Sequence, residues 1–568
     1  MRARLQCLAA AAAAPCLYLA LALAALWQGL FTGHDTIVGN TGDPSIFIWS
    51  LQWVPFALTH HLNPLVTSYL HYPGGANLMW NTSILFPALV LAPVTALFGP
   101  ITSYNVLAVL GMALSGWCAF LAVRRYSRHW AAAALGGLLY EFSPYMAVQI
   151  TGHAHLFVAV FPPLLLIFAD EILVRRRRPA ALMGALLGVA AAAQLLTGTE
   201  LLTISVVMAV PALVTLGVLF RDRLGEVLPY VRRAAAFAAV TFAVLAAYPL
   251  YILFLGPQRV TGALQGFGYV ARPTSFLIPS GFELISGGST VLDSSVYIGI
   301  PLLVLAVAVA VRLRRHPAVV TAAVTLACAM VLSLGGHLTL HGTATPIPLP
   351  WLIAQHLPVL DNVLPTRLMV AGYLALAVML AVFVDRVLET PLRLRLAGMA
   401  AAAVALVPLI PSLPVSSAQY AVPAFFTDGS AGRLSPTGSV LITPYGGTTI
   451  ADYAPQVWQA LSGMAFKTQL GMVFTPGPGG HEWSADMDAL GTELHDLGDL
   501  DQPAPASLSA SVRATYLGDL RAHDVTTVIA GPSPGQAQVV QLITELLGRP
   551  GTSSGGVVVW TGVAAETS

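Results

Sequence analysis

The sequence predicts an α-helical polytopic membrane protein with about eleven transmembrane helices and a small C-terminal α/β domain. Hydrophobic residues make up 56% of the 568 residues, and the mean hydropathy of +0.74 exceeds that of soluble domains. Only 9% of the residues are charged, and clusters of arginine separate the apolar runs. A net charge of +1 gives no electrostatic reason to expect a nucleic-acid partner. The high hydrophobic fraction predicts a lipid bilayer as the surroundings of the chain.

The first predicted span covers residues 7–30 and follows a short basic end with Arg2 and Arg4. Its length suffices to cross a hydrocarbon core about 30 Å thick. The run is longer than the roughly 7–15 apolar residues of a signal-peptide core, which favours a retained anchor over a cleaved signal. By the positive-inside rule, the N-terminus is cytoplasmic and the loop after this span faces outward.

The arginine clusters set the rest of the predicted topology, because seven of them can all be placed in the cytoplasm. The N-terminus is then inside, the C-terminus is outside, and the main outer loops cover residues 32–102, 256–295 and 335–366. The predicted spans are residues 7–30, 103–123, 131–148, 155–174, 180–197, 201–220, 234–255, 296–311, 318–334, 367–385 and 396–414.

Two apolar stretches of the first loop are predicted to lie at the outer interface rather than to cross the membrane. Residues 82–98 are short and contain two prolines, and a full crossing there would place Arg124 and Arg125 outside. Residues 46–60 carry Trp49 and Trp53, and tryptophan prefers that depth.

Residues 1–414 are therefore predicted to form the membrane domain, and residues 415–568 an extracytoplasmic α/β domain. The second part is rich in acidic and turn-forming residues, and its apolar runs alternate between strand-like and helix-like patterns. It shows no catalytic motif. Strands are predicted at 439–443, 525–530 and 556–560, and helices at 456–464, 517–522 and 537–547.

Asp43 and Asp35 are the first candidates for catalysis, because carboxylates at the edge of a bilayer are costly and usually functional. One of them could accept a proton from an acceptor hydroxyl. The pair could also share a divalent cation, Mg²⁺ or Mn²⁺. The alternative for Asp43 is a structural helix cap, since Pro44 follows it as at the start of a helix.

Six further residues, in the predicted outer loops or at the outer ends of spans, are site candidates. Imidazoles could bind phosphate or a metal ion, and an arginine at the outer leaflet can hold a phosphate or diphosphate through bidentate hydrogen bonds. Contacts with lipid headgroups or carboxylates are the structural alternative. The candidates are His153, His155 and Glu200, with Arg259, Arg272 and Arg367 as the donor-phosphate ligands.

The order of these features resembles the GT-C superfamily of membrane glycosyltransferases, which includes protein O-mannosyltransferases, oligosaccharyltransferases and the aminoarabinose transferases of lipid A. The motifs that carry the resemblance are GDPSIFIWSLQW, HHLNP and YPGGANLMWNTS in the first loop and LGGLLYEFSPY after it. Residues 42–81 look particularly like actinobacterial members with a C-terminal outer domain. Architecturally the resemblance covers roughly residues 1–415.

The resemblance implies a polyprenyl-phosphate sugar donor, a glycan or lipid acceptor of the cell envelope, and transfer with inversion on the outer face of a bacterial plasma membrane. The family's catalytic carboxylate stands at the helix that begins in the first outer loop, which is Asp43 here, with Asp35 as the alternative. Many members have adjacent acidic residues there, whereas this chain has Pro44 after Asp43. No metal is therefore predicted with the site, and a divalent cation stays an open alternative.

Two functions from other classes remain open at this point. A lipid or glycan transporter or flippase would explain the proline-broken stretch 82–98, although the sequence shows no internal repeat. A non-enzymatic protein that binds envelope glycan would place its function in residues 415–568.

Overall fold

A computed structural model describes residues 2–262, 269–285, 294–340, 342–435, 437–445, 453–483, 488–498 and 507–563. Parts of the predicted loop 256–295 and of residues 415–568 lie outside these ranges. The chain forms two compact units. We call Met1–Gln28, Leu107–Ala247 and Ala263–Ser416 the helical unit, and Gly29–Val106, Tyr248–Gly262 and Ser417–Ser568 the α/β unit.

Helices dominate the described part of the chain. They are α1 Arg2–Phe31, α2 Pro44–Thr59, α3 Leu85–Val90, α4 Ala92–Val123, α5 Trp130–Glu141, α6 Pro144–Gln149, α7 Ala154–Phe157, α8 Phe161–Asp170, α9 Ala180–Thr197, α10 Thr199–Leu219, α11 Leu224–Leu255, α12 Ile300–Arg312, α13 Pro317–Ser333, α14 Trp351–Ala354, α15 Met369–Leu388, α16 Leu392–Leu406, α17 Ala454–Leu461, α18 Ala489–Gly498, α19 Ala510–Ala522 and α20 Gln536–Leu547.

The strands are short. They are β1 Thr36–Val38, β2 Val66–Thr67, β3 Ala76–Asn77, β4 His337–Leu340, β5 Thr343–Pro348, β6 Ser417–Gln419, β7 Ser439–Thr443, β8 Phe474–Thr475, β9 Glu482–Trp483, β10 Val525–Ala530, β11 Thr552–Ser554 and β12 Val557–Thr561.

The protein is a multi-pass membrane protein, as predicted, but the predicted count of eleven spans is not confirmed. Among the described residues, eight helical stretches are long and apolar enough to cross a membrane, and two apolar helices, α12 and α13, are shorter. The eight are Ala13–Phe31, Ala92–Val123, Ala154–Arg175, Ala180–Thr197, Thr199–Leu219, Arg221–Leu255, Pro365–Leu388 and Leu392–Leu409.

Several predicted helices differ from those observed, and in three of them a proline, glycine or serine explains the difference. The span predicted at 131–148 is two helices, because Ser143 caps α6 with its side chain and Pro144 begins it. The span predicted at 396–414 ends at Leu406, before a proline-containing turn.

The interfacial helix predicted at 82–98 is also divided. It consists of α3 and the start of α4, with Pro93 in the first turn of α4, where a missing N–H is tolerated. Gly99 then breaks α4 at φ 82° and ψ 168°, a backbone conformation that favours glycine. The run from Pro100 to Val123 therefore begins as a separate helical segment, close to the predicted start of the span.

In the helical unit, α15 packs against α5 and α13 and is almost entirely buried. A charged cluster ties α8 to the end of α4: Arg125 pairs with Asp170 and, at 2.7 Å, with Glu171. Both carboxylates are nearly buried, so this network satisfies charges that would be costly to leave unpaired.

The α/β unit contains a four-stranded sheet in the order β11-β12-β10-β7. β10 and β7 are parallel, whereas the other neighbours are antiparallel. β7 and β10 coincide with predicted strands, and β12 lies one residue from its predicted position. The small C-terminal α/β domain is therefore present, and its core includes Trp458, Ile529, Leu542 and Trp560.

The first loop forms part of this same α/β unit. Helix α2 packs against α17, where the Trp49 indole donates a 2.6 Å hydrogen bond to the Gln459 side chain. The Gln459 amide donates in turn to the carbonyl oxygens of Tyr69 and Phe466. Since both Trp49 and Gln459 are fully buried, these bonds fix which faces of the two helices meet.

Two titratable side chains of the α/β unit, His523 and Asp488, form a half-buried pair. The hydrogen bond with Asp488, 3.1 Å long, raises the pKa of His523 although burial opposes it. Burial alone would raise the pKa of Asp488, but the bonds from His523 and the Gly491 amide lower it. The neighbouring charged groups are Asp519, which favours the charged His523, and His71, whose pKa is lowered by burial and by His523.

This pair predicts a pH dependence of stability. The raised pKa of His523 stabilises the fold below about pH 6.5, and this effect is lost as the pH rises through the folded-state value. The lowered pKa of Asp488 stabilises it above about pH 4, and this is lost on further acidification. We expect His523→Gln to lower the thermal unfolding midpoint most near pH 5.5 and least near pH 9.

Thermal unfolding of the full chain in detergent, recorded at several pH values, checks this expectation. His61→Gln, a change of an exposed histidine in the same unit, is the matched control. A loss of stability in His523→Gln that is the same at pH 5.5 and pH 9 would contradict the assigned role of the pair.

Candidate active site

Asp43 lies at the end of a tightly held segment, residues 35–45, which we call the Asp43 loop. Asn105 clamps the start of this loop: its side-chain oxygen accepts from the Val38 amide at 3.0 Å, and its nitrogen donates to the carbonyls of Gly29 and Thr36. Asn105 is nearly buried, so these three bonds are shielded from water.

The next turn leads directly into α2. The Gly42 amide donates to the Asn40 side chain at 2.9 Å, and the Ser45 amide donates to the Gly42 carbonyl at 3.0 Å. Asp43 occupies the position before the helix, with Pro44 as its first residue. The backbone around Asp43 is therefore fixed on both sides.

The side chain of Asp43 does not cap α2. Asp43 has helical backbone angles, φ −49° and ψ −33°, and its carboxylate accepts no hydrogen bond from the amides of the first turn. A capping aspartate normally has extended angles and accepts such a bond. Helix capping therefore does not explain the aspartate at this position, where the side chain is half-buried.

The segment that follows α16 completes the Asp43 loop. β6 pairs with β1 in antiparallel register, with Ile37 opposite Ala418. Tyr420, directly after β6, donates its amide to the Asp35 carbonyl at 3.2 Å and its hydroxyl to the Thr41 carbonyl at 2.7 Å. Asp35 is thus held by its backbone, and its side chain is half-buried.

A second group of predicted residues meets in the helical unit. Arg367, in a short 3₁₀ turn before α15, forms an ion pair with Glu200 on the first turn of α10. The other Glu200 oxygen accepts from the Leu364 amide at 3.1 Å, and His155 Nε2 lies 4.0 Å from the carboxylate. Both charged side chains are largely buried, with 17% and 11% of their surfaces exposed.

A glycine makes the approach of His155 to this group possible. Gly198 joins α9 to α10, and a Cβ atom built there would lie only 2.7 Å from the His155 carbonyl oxygen. The sequence TGTE around Glu200 therefore has a structural reason for its small residue.

The remaining predicted residues occupy separate positions. His153 is half-buried at the start of α7, and its ring lies 6.3 Å from that of His155. Arg272, also half-buried, precedes the 3₁₀ turn Pro273–Phe276, and Arg259 is exposed after α11. The structure thus brings His155, Glu200 and Arg367 together, with His153 beside them.

The described residues contain one group of three side chains that could ligate a metal ion, and it is His129, Asp385 and Glu389. Neither Asp35 nor Asp43 belongs to it. A divalent cation shared by these two carboxylates stays a proposal.

Asn105 and Tyr420, which hold the Asp43 loop, are not among the residues predicted from the sequence. Asn105 had a signal, since a carboxamide inside a predicted span is unusual enough to suggest a structural or functional role. Tyr420 had none, because it lies in a short stretch without periodicity and contacts residues almost 400 positions earlier.

Comparison with solved structures decides the fold. The cryo-EM structure of the arabinofuranosyltransferase AftD from mycobacteria matches 97% of this chain with a TM-score of 0.56 at 16% sequence identity. The protein has the GT-C fold. This GT-C chain covers only 40% of the AftD chain.

Two further matches have lower TM-scores. The archaeal oligosaccharyltransferase AglB from Archaeoglobus fulgidus matches 91% of the GT-C chain, with 69% of its own chain covered, at 12% identity and a TM-score of 0.47. ArnT from Cupriavidus metallidurans matches 97%, with 98% of its own chain covered, at 11% identity and a TM-score of 0.42. No protein-family model and no curated protein matches the sequence.

The Glu200–Arg367 pair of the GT-C chain predicts strong thermodynamic coupling. Removing one partner leaves the other charge largely buried without its counter-ion, which costs about 3 kcal/mol. We expect Glu200→Gln and Arg367→Gln each to lower the free energy of unfolding by about this amount, and the double variant to lose clearly less than the sum.

Denaturant unfolding in detergent micelles measures this double-mutant cycle. The pair Arg128–Glu389 is the control, because its side chains are 84% and 49% exposed and its coupling should stay below about 1 kcal/mol. Additive effects of the two substitutions at Glu200 and Arg367 would show that the ion pair contributes no coupling.

Proposed function

We propose that this chain is an inverting membrane glycosyltransferase that moves a sugar from a polyprenyl-phosphate donor to a glycan or lipid acceptor of the cell envelope. The observation that carries the proposal is Asp43, which stands at the head of α2 in a GT-C fold with a carboxylate not engaged in capping the helix. The likeness to AftD, an arabinofuranosyltransferase, supports sugar transfer as the reaction class. The sugar, a hexosyl or pentosyl unit, stays open.

In the proposed reaction, the oxygen of an acceptor hydroxyl attacks the anomeric carbon of the donor sugar. Asp43 accepts the proton of that hydroxyl. The new bond forms on the face opposite the donor phosphate, and the bond between the anomeric carbon and the phosphate oxygen breaks. Polyprenyl phosphate leaves with the bonding electrons, and the attack from the opposite face inverts the configuration of the anomeric carbon. Asp35 is the alternative base.

Arg367 is the proposed ligand of the departing phosphate, with Arg272 and Arg259 as further candidates. A guanidinium has five N–H donors, more than the bond to Glu200 uses, so Arg367 can also bind a phosphate oxygen. Its ion pair with Glu200 holds the guanidinium in one orientation, which reduces the entropy lost on binding. His155 and His153 are proposed to contribute polar contacts beside it.

The proposed cellular arrangement follows the predicted topology. The protein lies in a bacterial plasma membrane with its N-terminus in the cytoplasm, and transfer occurs on the outer face. Residues 415–568 are then extracytoplasmic.

Asp43→Asn tests the proposed base. The amide keeps the size of the side chain but cannot accept the proton, so sugar transfer should fall by about 10²–10⁴-fold. Transfer to envelope glycan is measured in membranes with equal amounts of inserted protein. Asp222→Asn, which changes an exposed aspartate in the helical unit, is the matched control.

Asp35→Asn separates the two candidate carboxylates in the same assay. We expect it to retain most of the activity if Asp43 is the base. Wild-type transfer by Asp43→Asn would remove Asp43 from the mechanism, and a selective loss in Asp35→Asn would move the role to Asp35.

A further inference from the structure

A residue far from Asp43 in the sequence, Tyr420, contacts the loop that carries Asp43. Tyr420 is 3% exposed, and its hydroxyl donates a 2.7 Å hydrogen bond to the Thr41 carbonyl, two residues before Asp43. Its amide donates to the Asp35 carbonyl, so a single residue holds both ends of the segment between the two aspartates.

The tyrosine is fixed by its own neighbours. β6, directly before it, pairs with β1 over three residues, and the Asn105 side chain braces β1 through the Val38 amide and the Thr36 carbonyl. The hydroxyl of Tyr420 therefore has a defined direction and cannot follow a displaced loop.

The surroundings of the Tyr420 hydroxyl favour its protonated form, which is the form that donates a hydrogen bond. Burial, and then the nearby Tyr104 and Asp43, raise the pKa of Tyr420 well above its usual range, so the phenol stays protonated at every physiological pH. Loss of the hydroxyl would leave the Thr41 carbonyl without this buried donor.

We propose that Tyr420 is a positioning residue for Asp43, and that residues 417–420 thereby set the geometry of the catalytic loop. This inference rests on the proposed function, in which Asp43 is the base. A base must lie within hydrogen-bond reach of the acceptor hydroxyl, and a displacement of about 1 Å can cost 10²-fold in rate. The C-terminal segment is then a working part of the transferase rather than an appended binding module.

Tyr420→Phe is the direct test, because phenylalanine keeps the ring and removes only the hydroxyl. The assay uses the purified full chain in lipid nanodiscs, with the lipid extract of a strain that lacks the protein as the donor source. We expect kcat to fall 10–100-fold while the KM for the lipid donor stays within about twofold.

Tyr516→Phe is the matched control in the same unit. The Tyr516 hydroxyl donates to Glu493 at 3.3 Å, in a contact between α19 and α18. We expect wild-type kcat for this variant.

A background of Asp43→Asn separates positioning from general damage to the fold. If Tyr420 acts through Asp43, Tyr420→Phe should not lower the residual rate of Asp43→Asn further, since the carboxylate it positions is already absent. A loss by the same factor in both backgrounds would show a merely structural role and overturn the inference.

The remaining outcomes are equally decisive. A wild-type kcat in Tyr420→Phe, or a raised KM with kcat unchanged, would refute the inference while the strong defect of Asp43→Asn upheld the proposed function. Full activity of Asp43→Asn would instead refute the proposed base, and the positioning role of Tyr420 would fall with it.

Discussion

The pairing of β1 with β6 is the constraint on which the candidate active site depends. The Asp43 loop contains only three strand residues. Its local turns do not supply hydrogen-bond partners for the Val38 amide or for the carbonyls of Thr36 and Thr41, which bond to residues outside the loop. Those partners come from residues 417–420 and from the side chain of Asn105. Because Asn105 and Tyr420 are both buried, the hydrogen bonds that define the loop are protected from exchange with water, which favours one conformation.

Because of this pairing, we regard the C-terminal segment as a structural support of the Asp43 loop. The four-stranded sheet, α17 and the first loop belong to one compact unit, and the buried Trp49–Gln459 bond joins the helix that follows Asp43 to that unit. A catalytic group needs rigid support, because its reactivity depends on distances of a few tenths of an ångström. In the helical unit, the mostly buried Glu200–Arg367 pair is held in the same way, with the Leu364 amide as a third partner.

The sequence predicted features that depend on local pattern and failed where distant residues decide. Apolar runs located the helices that are long enough to cross a membrane, and short strand-like runs located β7 and β10. Gly99 explains the break in α4, and Ser143 with Pro144 explains the start of α6. Glu200 and Arg367 were recognised separately, but nothing in the sequence reports that residues 167 positions apart form an ion pair. β6 has no alternating pattern, and α18 contains glycines and acidic residues that weaken its helical signal. Long-range pairing therefore accounts for most of what was missed.

The most direct test of the central claim is the pool of lipid-linked sugars in a strain that lacks this protein, measured by mass spectrometry. If the protein is a transferase, we expect one polyprenyl-phosphate sugar to accumulate in this strain. The wild-type gene should return that sugar to its normal level, and the gene for Asp43→Asn should not. An unchanged pool, or equal correction by wild type and Asp43→Asn, would contradict the account.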